Sequence, residues 1–134
     1  MTEIQVFRGS DLERAEDADG FIEILSPERS GVEGIRFTRF ATYRGGRVPP
    51  HYHTTNSIAI LVRGRAAFAA GDWSGKRFEM EPGDYIVVPK DVVHVEETLG
   101  EETAEFVYVR DGGGGETIYL EGADAPAGGA RDEE

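Results

Sequence analysis

The sequence predicts a single all-β domain, a barrel or a sandwich, and three observations lead to this fold class. Short apolar stretches recur about every ten residues, with glycine or proline turns between them. Residues 35–43 alternate between two faces, and no segment keeps the longer helical period of about 3.6 residues. A length of 134 residues fits one domain around one core.

The N-terminal elements follow from local composition. Residues 8–20 are polar and acidic and are expected to form a loop. Residues 21–25 are apolar and predict a short strand, which Ser26-Pro27 ends. Residues 35–43 predict a longer strand with aromatic side chains on both faces, which the glycines that follow interrupt.

The later strands are bounded by turn residues. Glu81-Pro82-Gly83-Asp84 is the strongest turn signal, since proline and glycine occupy favourable central positions. The predicted strands cover residues 51–62, 66–70, 77–80, 85–88, 92–97, 105–110 and 117–120. We therefore expect three segments along the chain. Residues 1–34 pack on the barrel, residues 35–121 form it, and residues 122–134 are a disordered acidic tail.

Composition and charge exclude several classes of partner. The net charge is -12, and nucleic acid, which needs a basic face, is therefore not an expected partner. No run of apolar residues is long enough for a membrane span. The first residues lack the basic and apolar regions of a secretory signal, so we expect a cytoplasmic protein. Because the chain has no cysteine, a metal site would have to use nitrogen and oxygen donors.

The three histidines are the candidate functional residues. His51 and His53 are two residues apart on a predicted strand, so their side chains point to the same face. His94 can approach that face only if the sheet curls over, as in a closed barrel. Three histidine ligands with open coordination positions are typical of catalytic metal sites. The sequence thus predicts one divalent ion, and Fe, Mn, Ni, Zn and Cu all remain candidates.

Two stretches resemble the paired motifs of the cupin superfamily. The first motif is matched by Gly45-x5-His51-x-His53-x3-Ser57-x6-Gly64, and the second by Gly83-x5-Pro89-x-Asp91-x2-His94-x3-Thr98. Asp91 stands at the usual glycine and Thr98 at the usual asparagine. The resemblance covers roughly residues 35–110. It implies a small single-domain cupin whose barrel is a double-stranded β-helix, or jelly roll, with His51, His53 and His94 as metal ligands.

The fourth ligand of the family motif, usually a glutamate, is replaced in this chain. The motif spacing assigns that position to Ser57, whereas one more residue in the strand would assign it to Asn56. Neither residue is a carboxylate. Some cupins work with three histidines alone, and some cyclases of the family carry an amide at this position. The replacement is therefore compatible with activity.

The resemblance implies a class of function rather than one reaction. We expect a metal-dependent enzyme of the oxygenase, isomerase or cyclase type that acts on a small molecule. The alternative is a non-catalytic cupin that binds or senses a small molecule. No catalytic residue beyond the metal ligands is assigned. The aromatic residues Phe68, Trp73, Tyr85 and Tyr108 are expected to pack in the core or at its rim.

Two kinds of partner are expected. A site with three neutral ligands leaves the ion its full charge, so an anionic or chelating ligand is favoured. An arginine at the barrel mouth would strengthen the binding of such an anion. The candidates are Arg36, Arg39, Arg44, Arg47, Arg63 and Arg65. Small cupins commonly pair through edge strands, and residues 1–25 offer a spare strand. A homodimer is therefore expected.

Overall fold

The computed structural model describes residues 3–112 and 117–120, and this part of the chain is built almost entirely of β-strands. One short helix, α1 (Pro27–Ser30), lies among them, and the hydroxyl of Ser26 caps it by accepting a hydrogen bond from the Arg29 amide. The strands are β1 (Glu13–Glu16), β2 (Gly20–Leu25), β3 (Ile35–Thr42), β4 (Arg47–His53), β5 (Ser57–Arg63), β6 (Arg65–Ala70), β7 (Arg77–Met80), β8 (Tyr85–Val88), β9 (His94–Leu99), β10 (Ala104–Asp111) and β11 (Thr117–Tyr119).

The strands form two antiparallel sheets that pack face to face. The first sheet has the order β1-β2-β3-β10-β5-β8, and the second has the order β11-β4-β9-β6-β7. Their inner faces share one core, which includes Ile22, Phe40, Leu61, Phe68 and Phe106. The predicted all-β jelly-roll barrel is therefore confirmed.

Strand β10 connects the two halves of the first sheet, because it lies between β3 and β5. Its burial alternates, with Ala104, Phe106, Tyr108 and Arg110 buried and the side chains between them more exposed. This period is the one expected for a strand with one buried face. Because of this alternation, the Arg110 side chain lies in the interior, on the same face of β10 as Phe106 and Tyr108.

Two N-terminal and central elements differ from the sequence-based expectation. Residues 8–20, expected to be a loop, contain a 3₁₀ turn at Gly9–Asp11 and the edge strand β1. Residues 51–62, expected to be one strand, are divided by a turn between β4 and β5, which belong to different sheets. The predicted tail, residues 122–134, lies outside the described residues.

The motif residue Gly64 is required by its surroundings. Its φ of +77° lies in the left-handed region, and a Cβ built there would lie 2.2 Å from the carbonyl oxygen of Thr103. No side chain fits that space without moving backbone. The tight turn between β5 and β6 therefore depends on glycine.

Asp91 occupies the motif position that is usually glycine, and its φ of +67° explains that preference. Its amide donates a 2.8 Å hydrogen bond to the carbonyl of His53, which ties this turn to the strand that carries two histidines. A left-handed conformation costs a residue with a Cβ about 1–2 kcal/mol, and aspartate is among the more tolerant residues.

We therefore predict that Asp91→Gly raises the free energy of unfolding slightly, by up to about 1 kcal/mol, because it relieves this strain. Lys90→Gly is the matched control, since φ at residue 90 is not positive and glycine there only adds freedom to the unfolded chain. Urea denaturation of the two variants measures the difference. Equal losses of stability in both would contradict the prediction.

Candidate metal centre

The pairing of β4 with β9 brings the histidines together. The register shifts between Val48 and His51, where Pro49-Pro50 interrupts the ladder, and His51 then lies directly opposite His94. His53 follows two residues later and points to the same inner face. Two strands of one sheet thus supply all three imidazoles.

The three imidazoles form one buried group. One ring nitrogen from each of His51, His53 and His94 lies within 4.8 Å of the others, which is close enough to hold a metal ion. The ring centroids of His51 and His94 are 4.1 Å apart, and His53 lies 4.9 Å from His51 and 5.2 Å from His94. This cluster matches the predicted set of three histidines.

The hydrogen bonds of the rings select which nitrogen faces the shared space. Nδ1 of His51 lies 2.7 Å from the carbonyl oxygen of Pro49, and Nδ1 of His94 lies 3.0 Å from that of Val92. A carbonyl can only accept, so both Nδ1 atoms carry the proton and both Nε2 atoms keep their lone pair. Nδ1 of His53 lies 2.9 Å from Oγ1 of Thr117, a hydroxyl that can donate or accept, so this contact orients the ring without fixing its tautomer. Metal-binding histidines are oriented by such contacts, so these residues fit a metal ion.

Burial keeps the imidazoles neutral. It lowers the pKa of His51 to about 3, with smaller contributions in the same direction from His94 and Arg110. Burial is also the main cause of the lowered pKa of His53 and of His94. A neutral imidazole has the lone pair that a metal needs. The site therefore offers three nitrogen ligands at neutral pH.

Comparison with known proteins assigns the family. The family described as "Cupin domain" matches residues 40–122, which is more than half of the chain. This chain belongs to the cupin family.

Two curated proteins resemble parts of this cupin. The germin-like protein subfamily 3 member 2 of Arabidopsis thaliana is 38% identical over 77 residues, which cover 55% of this chain and 34% of that protein. The acireductone dioxygenase of Bacillus cytotoxicus is 41% identical over 46 residues, which cover 33% of this chain and 27% of the dioxygenase. The chain thus spans about a third of the length of these relatives.

Solved structures share the fold. A variant of oxalate decarboxylase from Bacillus subtilis is 25% identical, with a TM-score of 0.70 over 80% of this cupin and 29% of that chain. Another structure of the same enzyme, which concerns its Mn(II) centres, has a TM-score of 0.74 at 24% identity over 85% of this cupin and 32% of that chain. The likeness supports the barrel assignment.

The two candidates for the fourth ligand lie in different places. Ser57 is buried at the start of β5 and faces the interior, and its hydroxyl has no hydrogen-bond partner. Asn56 is exposed, its side-chain amide donates to Asp111 at 2.8 Å, and its Oδ1 accepts from the Lys90 amide at 2.9 Å. In this arrangement Ser57 is the candidate that faces the barrel interior, while Asn56 holds two loops together.

Arg110 is a buried cation that the sequence analysis did not select. Only 3% of the residue is exposed, and its guanidinium lies against the imidazole of His53, with Nη1 3.3 Å from Nδ1 and Nη2 3.5 Å from Nε2. Of the arginines proposed to reach the barrel mouth, Arg36 is buried beside Arg110 on β3. Arg39, Arg44, Arg47 and Arg65 form ion pairs with glutamates, and Arg63 is exposed.

Glu96 is the second charged residue that the sequence analysis missed. It lies two residues after His94 on β9, it is 6% exposed, and its Oε2 is 3.9 Å from Nε2 of His94. Together with His51, His53 and Arg110 it lines a small cavity of about 10 Å³. The sequence signal was available, since alternate residues of a strand share a face. Charged residues at inward-facing strand positions are exceptions to the usual pattern, however, so local composition alone does not single out Glu96.

A larger cavity leads from the solvent to His94. It has a volume of about 470 Å³ and lies between the edge strands β7 and β8, where the two sheets are not hydrogen-bonded to each other. Its lining is mostly apolar and includes Phe68, Met80 and His94. Cavities of this size hold small organic ligands. A molecule in this cavity would reach the metal site at the imidazole of His94.

The four aromatic residues expected to pack in the core or at its rim divide into two groups. Phe68 and Tyr108 are buried in the core. Trp73 is partly buried, and the Arg77 guanidinium lies 5.3 Å above its ring. Tyr85 is exposed at the rim of the larger cavity.

Proposed function

We propose that this cupin is a metal-dependent enzyme that acts on a small anionic molecule with oxygen donors, in a reaction of the oxygenase, isomerase or cyclase type. The metal would be held by Nε2 of His51 and His94 and by a ring nitrogen of His53, and the substrate would enter through the larger cavity. When bound, a divalent ion supplies Lewis acidity and open positions for oxygen ligands.

The observation that carries the proposal is the position of Arg110. Its guanidinium lies beside a proposed metal ligand, in the interior of the barrel, where positive charges are poorly screened. Two cationic centres this close favour an anion that contacts both. Arginine binds carboxylates through paired hydrogen bonds, so Arg110, which lines the small cavity rather than the larger one, would attract the anionic end of a substrate held by the metal.

A base for proton transfer must come from another residue, because each histidine is used as a ligand. Tyr119 and Glu96 are two described candidates, since the Tyr119 ring lies 5.4 Å from that of His51 and the Glu96 carboxylate lies 3.9 Å from His94. A tyrosine or carboxylate within reach of the substrate favours an enzyme over a non-catalytic binding cupin.

The proposal is tested in two steps. Elemental analysis of the purified protein should find one divalent ion per chain. The loaded protein should then convert members of a panel of small hydroxy and keto acids, followed by oxygen consumption and by product analysis. A protein that binds metal and organic acids tightly but converts none of them would support the alternative, a binding or sensing cupin.

The homodimer stays a prediction, and the structure offers a surface for it. A row of exposed apolar side chains crosses four adjacent strands of the first sheet, formed by Phe37, Val109, Ile58 and Val87, which are 41–63% exposed. Such rows are uncommon on monomers. The edge strand β1 is instead charged, with Arg14 paired to Glu16. We expect a second copy to pack on the apolar row rather than on the β1 edge.

Light scattering should therefore give the mass of a dimer at micromolar concentration, and Ile58→Lys should shift it to a monomer. Phe78→Lys, at a similarly exposed apolar position on the second sheet, should leave the dimer intact. A monomeric mass for the unaltered protein would end the prediction.

A further inference from the structure

We propose that the ligand of this cupin carries a flat, uncharged aromatic body behind its oxygen donors, and that the larger cavity binds this body. The inference rests on the proposed function, since the oxygen donors are those that the metal would take. It adds the class of molecule, an aromatic acid or a related aromatic chelator. It also assigns the selection of this class to the apolar walls of the cavity, above all to Phe78.

The first wall is the edge strand β7 of the second sheet. Phe78 pairs with Phe68 of β6, whose side chain belongs to the core. Residues that are paired across two strands share a face of the sheet, so the Phe78 ring also points to the inner face. Phe78 is nevertheless 48% exposed, although it points inward. A ligand in the cavity would cover this ring.

The second wall is the edge strand β8 of the first sheet. Ile86 pairs with Ala59 of the core and packs against that core, so it points inward as well. Strands β7 and β8 are not hydrogen-bonded to each other, and the cavity of about 470 Å³ lies between them. An apolar cavity of about 150 Å³ already holds a benzene molecule. The space therefore accommodates two fused rings together with a polar group.

The inner end of the cavity is the imidazole of His94. The Phe68 ring lies along that imidazole, with ring centroids 6.4 Å apart and an angle of 27° between the planes. Ala70, which is directly opposite His94 in the register, has a small side chain and also lines the cavity. A flat ring lying between the two walls would thus present its polar group to the proposed metal ligand.

The charges along the cavity exclude an anionic far end. Among the described residues that line it, the charged side chains are Glu79 and Asp84, and none is a lysine or an arginine. Glu79 forms ion pairs with Arg65 and Arg77, whereas the Asp84 carboxylate accepts a hydrogen bond from the Glu81 amide. A second negative charge on the ligand would meet the Asp84 carboxylate without a compensating cation. The negative charge of the ligand therefore belongs at the metal end.

The test uses two hydroxamates that share one chelating group, acetohydroxamate and 2-naphthohydroxamate, on the Zn²⁺-loaded full chain. Titration calorimetry gives both affinities. We expect 2-naphthohydroxamate to bind at least about tenfold more tightly, because its rings leave water for the apolar cavity. Equal affinities would overturn the inference and leave the metal site standing.

Phe78→Ala locates the preference in the cavity. It should reduce the advantage of 2-naphthohydroxamate by about three- to tenfold, since part of one wall is lost. Its affinity for acetohydroxamate should stay within about twofold, which also shows that the variant is folded. Val62→Ala is the matched control, because Val62 is 44% exposed and lies outside the cavity. An equal effect of the two variants would contradict the assignment.

A third hydroxamate tests the far end. 6-Carboxy-2-naphthohydroxamate should bind at least about threefold more weakly than 2-naphthohydroxamate, and Asp84→Asn should narrow this difference. Glu102→Gln, at an exposed position outside the cavity, should leave the difference unchanged. A carboxylate that costs no affinity would overturn the uncharged far end.

Metal-free protein separates this inference from the proposed function. If the chain binds no Zn²⁺, the metal site fails, and 2-naphthol then tests the cavity alone through its fluorescence. Saturable binding that Phe78→Ala weakens and Val62→Ala does not would support the aromatic site. Absence of such binding would overturn it. An affinity that falls as the protein concentration rises, together with a larger mass in light scattering, would show that a second copy occupies the cavity and would also overturn the inference.

Discussion

His51→Ala, His53→Ala and His94→Ala are each expected to lower the affinity for Zn²⁺ by more than about a hundredfold. Loss of a residue that merely orients a ligand costs about ten- to a hundredfold in metal affinity, so loss of a ligand should cost more. The three nitrogens lie within 4.8 Å of one another, and two imidazoles leave a site that is open on one side. Calorimetry, together with the metal content after dialysis, measures the effect.

Tyr52→Phe is the control for these variants, because Tyr52 lies between His51 and His53 and its side chain leaves the opposite face of β4. It should bind Zn²⁺ as the unaltered protein does. Thermal unfolding of the metal-free proteins separates lost ligation from lost folding. A full equivalent of tightly held metal in any one of the three alanine variants would remove that histidine from the proposed site.

Local sequence signals predict the regular part of this fold well. Strands β7 and β8 begin and end where composition predicts, because proline and glycine bound them and apolar residues fill them. Strand β1 was missed because an edge strand needs few apolar side chains, and Glu13, Arg14 and Glu16 are polar. Its pairing with β2, which the register establishes, depends on contacts that no local pattern shows.

The histidine cluster could be predicted because the spacing of two residues fixes a shared face, and the motif resemblance supplied the third member. The remaining parts of the site could not be found in this way. Arg110 lies on β10 in the first sheet and His53 on β4 in the second, 57 residues apart in sequence, so it is the packing of the two sheets that brings them together. Thr117, which orients His53, comes from another distant strand, β11. Such contacts depend on tertiary structure.

Buried charge is the reason that these residues are informative. Isolated charges inside a protein are costly, and here one arginine and one glutamate, Arg110 and Glu96, line the same small cavity as His51 and His53. Surface pairs such as Arg65 with Glu79 carry no such implication, since exposed ion pairs contribute little. The interior charges therefore point to the ligand chemistry of the site.

Arg110→Met is expected to weaken binding of oxalate, used as a small chelating dianion, to the Zn²⁺-loaded protein by about ten- to a hundredfold. A hydrogen bond to a charged group contributes about 1.5–3 kcal/mol, which corresponds to that range of affinity. Methionine keeps much of the volume of the side chain and removes its charge and its donors. Calorimetric titration of oxalate into the loaded protein measures the change.

The same variant should bind Zn²⁺ itself at least as tightly as the unaltered protein, because it removes a positive charge that lies 3.3 Å from the ring of His53. Arg65→Met, at an exposed position, is the control and should change neither affinity. If Arg110→Met holds Zn²⁺ and binds oxalate as strongly as the control does, Arg110 does not recognise the anion. The preference for anions would then have to come from the metal alone.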